Sequence, residues 1–256
     1  MPVFRSIVFA AALSGLLAGL LLTVVHHYTT VPYILAAEVF EGQAEEGQAG
    51  AEAAPPAEAH DHGEEAADHA HEGWAPADGA ERILYTAAAD VVTGIAFAFL
   101  LVAGFALTGR AIGWHEGLLW GMAGFVAFMV APSLGLPPEL PGMEAAPLGA
   151  RQVWWIAATA STVAGLGLIG LLRAPWSAAL GVLLLVAPHA VGAPPPPDAE
   201  TLVPHSLLHG FIVAVTISSF LFWAALGVVA AFLYERFGIR AQIGAGGQAS
   251  PEARKA

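Results

Sequence analysis

The chain has 256 residues, of which 57% are apolar and only 12% carry a formal charge. Soluble domains contain roughly 45–50% apolar and about 25% charged residues, so the composition excludes an ordinary soluble protein and indicates one embedded in a membrane. The formal net charge of -12 lies mostly in one hydrophilic segment. The absence of cysteine excludes disulfide bonds and thiolate metal sites.

Six apolar segments follow one another along the chain, with lengths that suit membrane-spanning helices. They cover residues 7–25, 86–108, 118–136, 154–172, 176–191 and 209–234. The first carries Gly15 and Gly19, a spacing that lets two membrane helices approach closely, and it exceeds the apolar core of about 7–15 residues in a signal peptide. We therefore predict an all-α, polytopic membrane protein of about six transmembrane helices, the first of which is retained.

Proline interrupts the third and fifth apolar segments, at Pro132 and Pro188. Because proline lacks an N–H group and its ring clashes with the preceding turn, both helices are predicted to break at their outer ends. The sequences around these prolines, 130–138 and 186–195, resemble each other weakly. Two interpretations stay open: a chain built from helical-hairpin repeats, or chance similarity in a sequence rich in Ala, Gly and Pro.

Charge is sorted between the two sides of this six-helix arrangement. Seven of the nine Lys and Arg residues lie on one side, whereas 18 of the 21 Asp and Glu residues and nine of the ten His residues lie on the other. Positive charge stays on the cytoplasmic side during insertion, so both termini are predicted to be cytoplasmic. Four regions result: a first helix with its outer end (1–37), an outer loop (38–80), the remaining helices (81–236) and a disordered cytoplasmic tail (237–256).

The outer loop divides into two halves of different composition. Its first half consists largely of Ala, Gly, Glu and Gln and is predicted to be disordered, because it cannot bury enough apolar surface. Its second half contains two His-x-His pairs among carboxylates, formed by His60, His62, His69 and His71. Imidazole with carboxylate suits borderline divalent ions such as cobalt, nickel or zinc. We favour metal capture over the alternative of a solvated polar spacer.

Further ionisable groups lie at or inside the apolar segments. They are His26, His27, Asp90, His189, His205 and His209. Ionisable residues inside a membrane are costly and mark an ion or substrate path by default. His205 and His209 are four residues apart and share a helical face, so we predict that they and His189 form the metal entrance, with the other three as further ligands. For each single histidine, interfacial hydrogen bonding is the alternative, and Glu139 and Glu144 are either oxygen ligands or surface residues.

Several of these segments resemble the CbtA family, a predicted cobalt transporter subunit. The similar segments are Phe4-Arg5 with the 15–19 helix, the Trp-Ala-Pro-Ala-Asp-Gly run at 74–79, and the segments 131–142, 151–155 and 188–194. The resemblance implies a bacterial inner-membrane protein with a periplasmic His-containing loop, active in cobalt uptake for cobalamin synthesis. It also implies a small, single-span, His-bearing companion, CbtB. The loop departs from the family, since it is sparser in His.

The expected function is therefore that of a membrane transporter subunit for a divalent metal, with cobalt favoured and nickel or zinc as alternatives. The expected partners are the lipid bilayer and the CbtB-like companion, without nucleic acid and without a tightly bound cofactor. The sequence has no GxxxxGK[ST], no HExxH and no Ser/Lys pair on a span, which argues against an enzyme. Two alternatives are a membrane-anchored metal-binding accessory or sensor and, more weakly, an intramembrane metal-dependent enzyme.

Overall fold

The structure is a computed structural model that describes residues 2–52, 76–172, 174–196 and 201–248. Within these residues every regular element is helical. The helices are α1 (Pro2–Thr29), α2 (Val31–Glu52), α3 (Ala80–Thr108), α4 (Trp114–Phe125), α5 (Ala131–Ser133), α6 (Leu148–Leu172), α7 (Pro175–Val191), α8 (His205–Arg236) and α9 (Ile239–Gln248). A π-helical turn, Val126–Val130, joins α4 to α5.

The predicted all-α, polytopic architecture is confirmed. Five helical stretches in the described chain are long and apolar enough to cross a membrane: α1, α3, the α4–α5 stretch, α6 and α8. The sixth predicted span, α7, is apolar and has 17 residues. At about 1.5 Å per residue it is about 26 Å long, slightly less than the roughly 30 Å hydrocarbon core of a bilayer. Helix α7 is therefore at the short limit for a membrane-spanning helix.

The spans pack as three antiparallel pairs, α1 with α3, α4 with α8, and α6 with α7. In each pair two glycines face one another, and a Cβ on either glycine would press on the backbone of the partner helix. The facing glycines are Gly15 and Gly94, Gly117 and Gly227, and Gly165 and Gly181. Such small residues let membrane helices come into backbone contact, where van der Waals packing holds them together.

The order of pairing differs from a simple series of hairpins along the chain. A simple series would pair the first span with the second, the third with the fourth, and the fifth with the sixth. Of these pairs only the first, α1 with α3, is present. The third span, α4, pairs with the sixth, α8, and the fourth and fifth spans form the α6–α7 hairpin between them along the chain. Helix α8 also packs on α1, so that α1, α3, α4 and α8 share one buried core. The α6–α7 hairpin contacts this core through α6, which packs on α5 and the π-helical turn.

The two predicted helix breaks have different outcomes. Before Pro132 the helix widens into the π-helical turn Val126–Val130, and it ends at Ser133. The missing N–H and the bulk of a proline ring explain such a distortion of the preceding turn. The predicted break at Pro188 is wrong, because α7 continues through Pro188 to Val191. Pro188 lies in the last turn of α7, and the helix ends three residues after it, so the distortion that proline causes is confined to the end of the helix.

Two segments predicted to be disordered are helical where the structure describes them. Helix α2 continues to Glu52, and α9 occupies part of the predicted tail. Alanine, Glu and Gln are good helix formers, and each helix also docks on the bundle. Ala37 of α2 is buried in a cluster with Leu140, Val203 and Phe211, and Ile239 of α9 is buried in the main core. In these described parts the structure therefore has helix where the sequence analysis predicts disorder.

Candidate functional site

Among the described residues, Asp90 is the acidic residue that lies well inside a membrane-spanning helix. It is only 8% exposed and sits on α3, ten residues after the start of the helix. The hydroxyl of Thr23 on α1 donates to Asp90 Oδ2 at 3.0 Å. The same carboxylate oxygen lies 3.3 Å from His26 Nδ1. Two polar side chains of α1 therefore converge on one buried carboxylate oxygen of α3.

The glycine contact between α1 and α3 explains why these side chains meet. Gly19, Thr23 and His26 follow one another at intervals of four and three residues, so they share one face of α1. On α3, Asp90 comes one turn before Gly94, which faces Gly15 of α1. The polar contact thus lies next to the glycine contact, on the side toward the end of α1 at Thr29. A buried carboxylate costs several kcal/mol unless it is paired, and the two α1 groups offset that cost.

A second polar contact links α1 to α8. Thr29 Oγ1 and Ser218 Oγ are 2.9 Å apart, and Ser218 is fully buried. Thr23, His26 and Thr29 are spaced three residues apart along α1. The first two reach α3 and the third reaches α8, so α1 carries the polar contacts to both of its neighbours. Sequence reasoning did not select the hydroxyls of Thr23, Thr29 and Ser218, although the spacing around His26 is a signal for the first two.

The other candidate histidines lie at the periphery. His205 and His209 are exposed in the first two turns of α8. At about 100° per residue, His209 lies on the opposite side of α8 from the buried Ser218. His189 is half-buried and meets the Trp154 ring edge-on at 5.8 Å between centroids, next to the hydrogen bond from Trp154 Nε1 to the Pro188 carbonyl oxygen. None of these three histidines is therefore part of the α1–α8 contact.

Among the residues that the structure describes, one pair of the predicted ligands is in direct contact. This pair is His26 and Asp90, while His27 is exposed beside Tyr28. In the ranges that the structure describes, no three His, Asp or Glu side chains are close enough to hold one metal ion. His189, His205 and His209 therefore do not form one three-residue cluster, and their role in metal binding stays a prediction. His60, His62, His69 and His71 lie outside the described residues.

The two arginines predicted on the outer side are both paired with carboxylates. Arg82 contacts Glu38 at 2.6 Å and Asp78 at 3.0 Å. Arg151 contacts Glu139 at 3.2 Å, so one candidate oxygen ligand is already engaged in an ion pair. These pairs offset the positive charge of both arginines, and the pair between Arg82 and Glu38 also ties α2 to the start of α3.

A comparison with protein families gives the identity of this bundle. The model of a family described as "Probable cobalt transporter subunit (CbtA)" matches residues 4–235. The chain belongs to the CbtA family. The match covers all six apolar helices and every candidate ligand, and it confirms the resemblance found in the sequence. No curated protein and no solved structure matches the chain, so the spatial arrangement of the ligands comes from this structure alone.

Proposed function

We propose that this CbtA protein moves cobalt into the cell across the inner membrane and so supplies cobalamin synthesis. The observation that carries the proposal is the buried contact between His26 and Asp90 within two spans of a cobalt transporter family member. Ionisable residues inside membrane spans mark an ion path by default, which supports an ionic role for this paired carboxylate. The orientation follows the charge pattern, with both termini cytoplasmic and the His-containing loop periplasmic.

The proposed substrate follows from the ligand chemistry of the site. Imidazole nitrogen with carboxylate oxygen suits borderline divalent metals, and no thiolate is present to favour a soft ion. Nickel and zinc satisfy the same criterion, and the family description supports cobalt among the three. The exposed His205 and His209 and the four loop histidines are proposed to collect the ion outside the membrane before it enters the bundle.

The proposed transporter has a second component. The family description names a subunit, and we infer a small single-span companion of the CbtB type. Because the sequence lacks a phosphate-binding GxxxxGK[ST] motif, energy from ATP would have to come through another protein. Within this proposal the protein is not an enzyme, and the metal is its cargo.

Radiolabelled cobalt uptake tests the proposal. Cells that produce the protein, with and without the companion, are compared with cells that produce the Asp90→Asn variant at an equal level in the membrane. We expect uptake with the wild-type chain and its loss with the variant, because the amide keeps the shape of the side chain and removes its charge. Metal binding without uptake, with or without the companion, would support the accessory or sensor and contradict transport.

A further inference from the structure

The contact between α1 and α3 contains one more potential ligand, the hydroxyl of Thr23. We propose that His26 Nδ1, Asp90 Oδ2 and Thr23 Oγ1 together form a binding site for a divalent cation inside the membrane span. The proposal rests on the proposed function, and it states where the transported ion is bound. It adds an oxygen ligand from a residue type outside the usual His, Asp and Glu set.

The two distances to Asp90 Oδ2 match those between neighbouring ligand atoms of one small divalent ion. Thr23 Oγ1 and His26 Nδ1 lie 3.0 and 3.3 Å from Asp90 Oδ2. Ligand atoms at about 2.1 Å from an ion are about 3.0 Å apart at a right angle and about 3.4 Å apart in a tetrahedron. Neither atom therefore needs to change its distance from Asp90 Oδ2 by more than a few tenths of an ångström to share an ion with it.

The Thr23 hydroxyl has a second acceptor, which frees its oxygen for a cation. Its single proton is donated either to Asp90 Oδ2 at 3.0 Å or to the carbonyl oxygen of Gly19 at 3.1 Å. When a cation binds Asp90, donation to Gly19 keeps the hydroxyl proton satisfied. The lone pairs of Oγ1 then remain available to the ion, because a hydroxyl accepts as well as donates.

The surroundings of the three atoms suit a transported ion. Thr23 and Asp90 are close to the α1–α3 glycine contact, where the helix backbones are held at a fixed separation. The Asp90 side chain is 11% exposed, whereas the His26 side chain keeps 25% of its surface exposed. The His26 side is therefore the more open side of the site. One nitrogen and two oxygens define the ligand class as borderline divalent metal.

The test uses the purified full-length protein and Co²⁺ itself, followed by the visible absorption of the bound ion. Thr23→Val removes the hydroxyl with little change of shape, and Thr23→Ser keeps it. Thr29→Val is the matched control, because that hydroxyl lies on the same helix and contacts Ser218 instead of Asp90. We expect Thr23→Val to weaken Co²⁺ binding at least about 10-fold, since loss of a group that only supports a metal ligand already costs about 10–100-fold, with Thr23→Ser and Thr29→Val near wild type.

Parallel uptake measurements separate this proposal from the proposed function. Thr23-dependent Co²⁺ binding without any cobalt uptake would support the site and contradict transport. Normal uptake with equal Co²⁺ affinity in Thr23→Val and Thr29→Val would refute the site and leave transport standing.

A variant that is lost from the membrane needs a second test of the site. If Thr23→Val fails to accumulate, His26→Gln provides this test. Co²⁺ affinity that is retained in a folded His26→Gln protein would also refute the site, whereas a loss of affinity at an unchanged unfolding temperature would support it.

Discussion

The glycine contact between α1 and α3 determines the geometry of the proposed ion site, and Gly94→Ala tests this dependence. A Cβ at Gly94 would lie 2.5 Å from the carbonyl oxygen of Gly15 and 3.3 Å from the backbone nitrogen of Gly19. Both atoms belong to the backbone and have no side-chain freedom with which to move away. The added methyl group must therefore push the two helices apart.

The size of the displacement follows from ordinary van der Waals contact. The Cβ at Gly94 would have to move about 0.9 Å away from the Gly15 carbonyl oxygen to reach an ordinary carbon–oxygen contact of about 3.4 Å. Added to the 3.3 Å between His26 and Asp90, this movement gives about 4.2 Å, beyond hydrogen-bonding distance. Overpacking costs about 1–3 kcal/mol, against which alanine gains up to about 1 kcal/mol in helix propensity. We expect a small net loss of stability and at least a tenfold loss of cobalt affinity, of the size found for disturbed ligand support.

The assay compares Gly94→Ala with Gly167→Ala, a matched control on α6. In the described part of the chain, no atom outside the backbone of α6 and the two neighbouring residues lies within 4 Å of a Cβ built at Gly167, so the same substitution meets open space there. The thermal unfolding temperature in detergent and the cobalt concentration at half-maximal uptake are measured for both. Equal values for the two variants would show that the glycine contact between α1 and α3 does not control the geometry of the site.

Three further predictions concern the outer side and the orientation. Deletion of 60–72 should weaken uptake at scarce metal and leave it nearly normal at abundant metal, and complete loss at abundant metal would make the loop part of the path. His205→Ala combined with His209→Ala should raise the cobalt concentration needed for half-maximal uptake while stability changes by less than about 0.5 kcal/mol, since both residues are exposed; unchanged uptake would remove this pair from the entrance. A reporter fused after Arg240 should be active only in the cytoplasm, and a periplasmically active fusion would refute the orientation.

The spans could be predicted because each one is a long apolar run, and such a run has few alternatives to a membrane helix. The partner of each span could not be predicted. Leu, Ala and Gly cover every face of these helices, so hydrophobic patterning does not distinguish one neighbour from another. The facing glycines Gly117 and Gly227 show the difficulty, because they are separated by the whole α6–α7 hairpin along the chain.

The residues of the candidate site could be predicted from the sequence, but the contact between them could not. His26 and Asp90 are visible in the sequence as ionisable residues in or beside apolar segments. Their contact depends on the register of α1 against α3, which is set by the glycine contact and not by either residue. The predicted grouping of His189 with His205 and His209 rested on their similar depth near the outer ends of their helices, which does not determine which helices pack together. Helix α7 instead packs on α6, and α8 packs on α1 and α4.

An ion site that serves transport needs a small number of protein ligands. The proposed site has three ligand atoms, from His26, Asp90 and Thr23, and an ion of octahedral preference would keep water at its remaining positions. Binding must be favourable enough for the ion to enter and weak enough for it to leave. A closed set of four thiolate or imidazole ligands, as in structural zinc sites, would hold the ion instead. The three-ligand set proposed between α1 and α3 therefore agrees with passage of an ion.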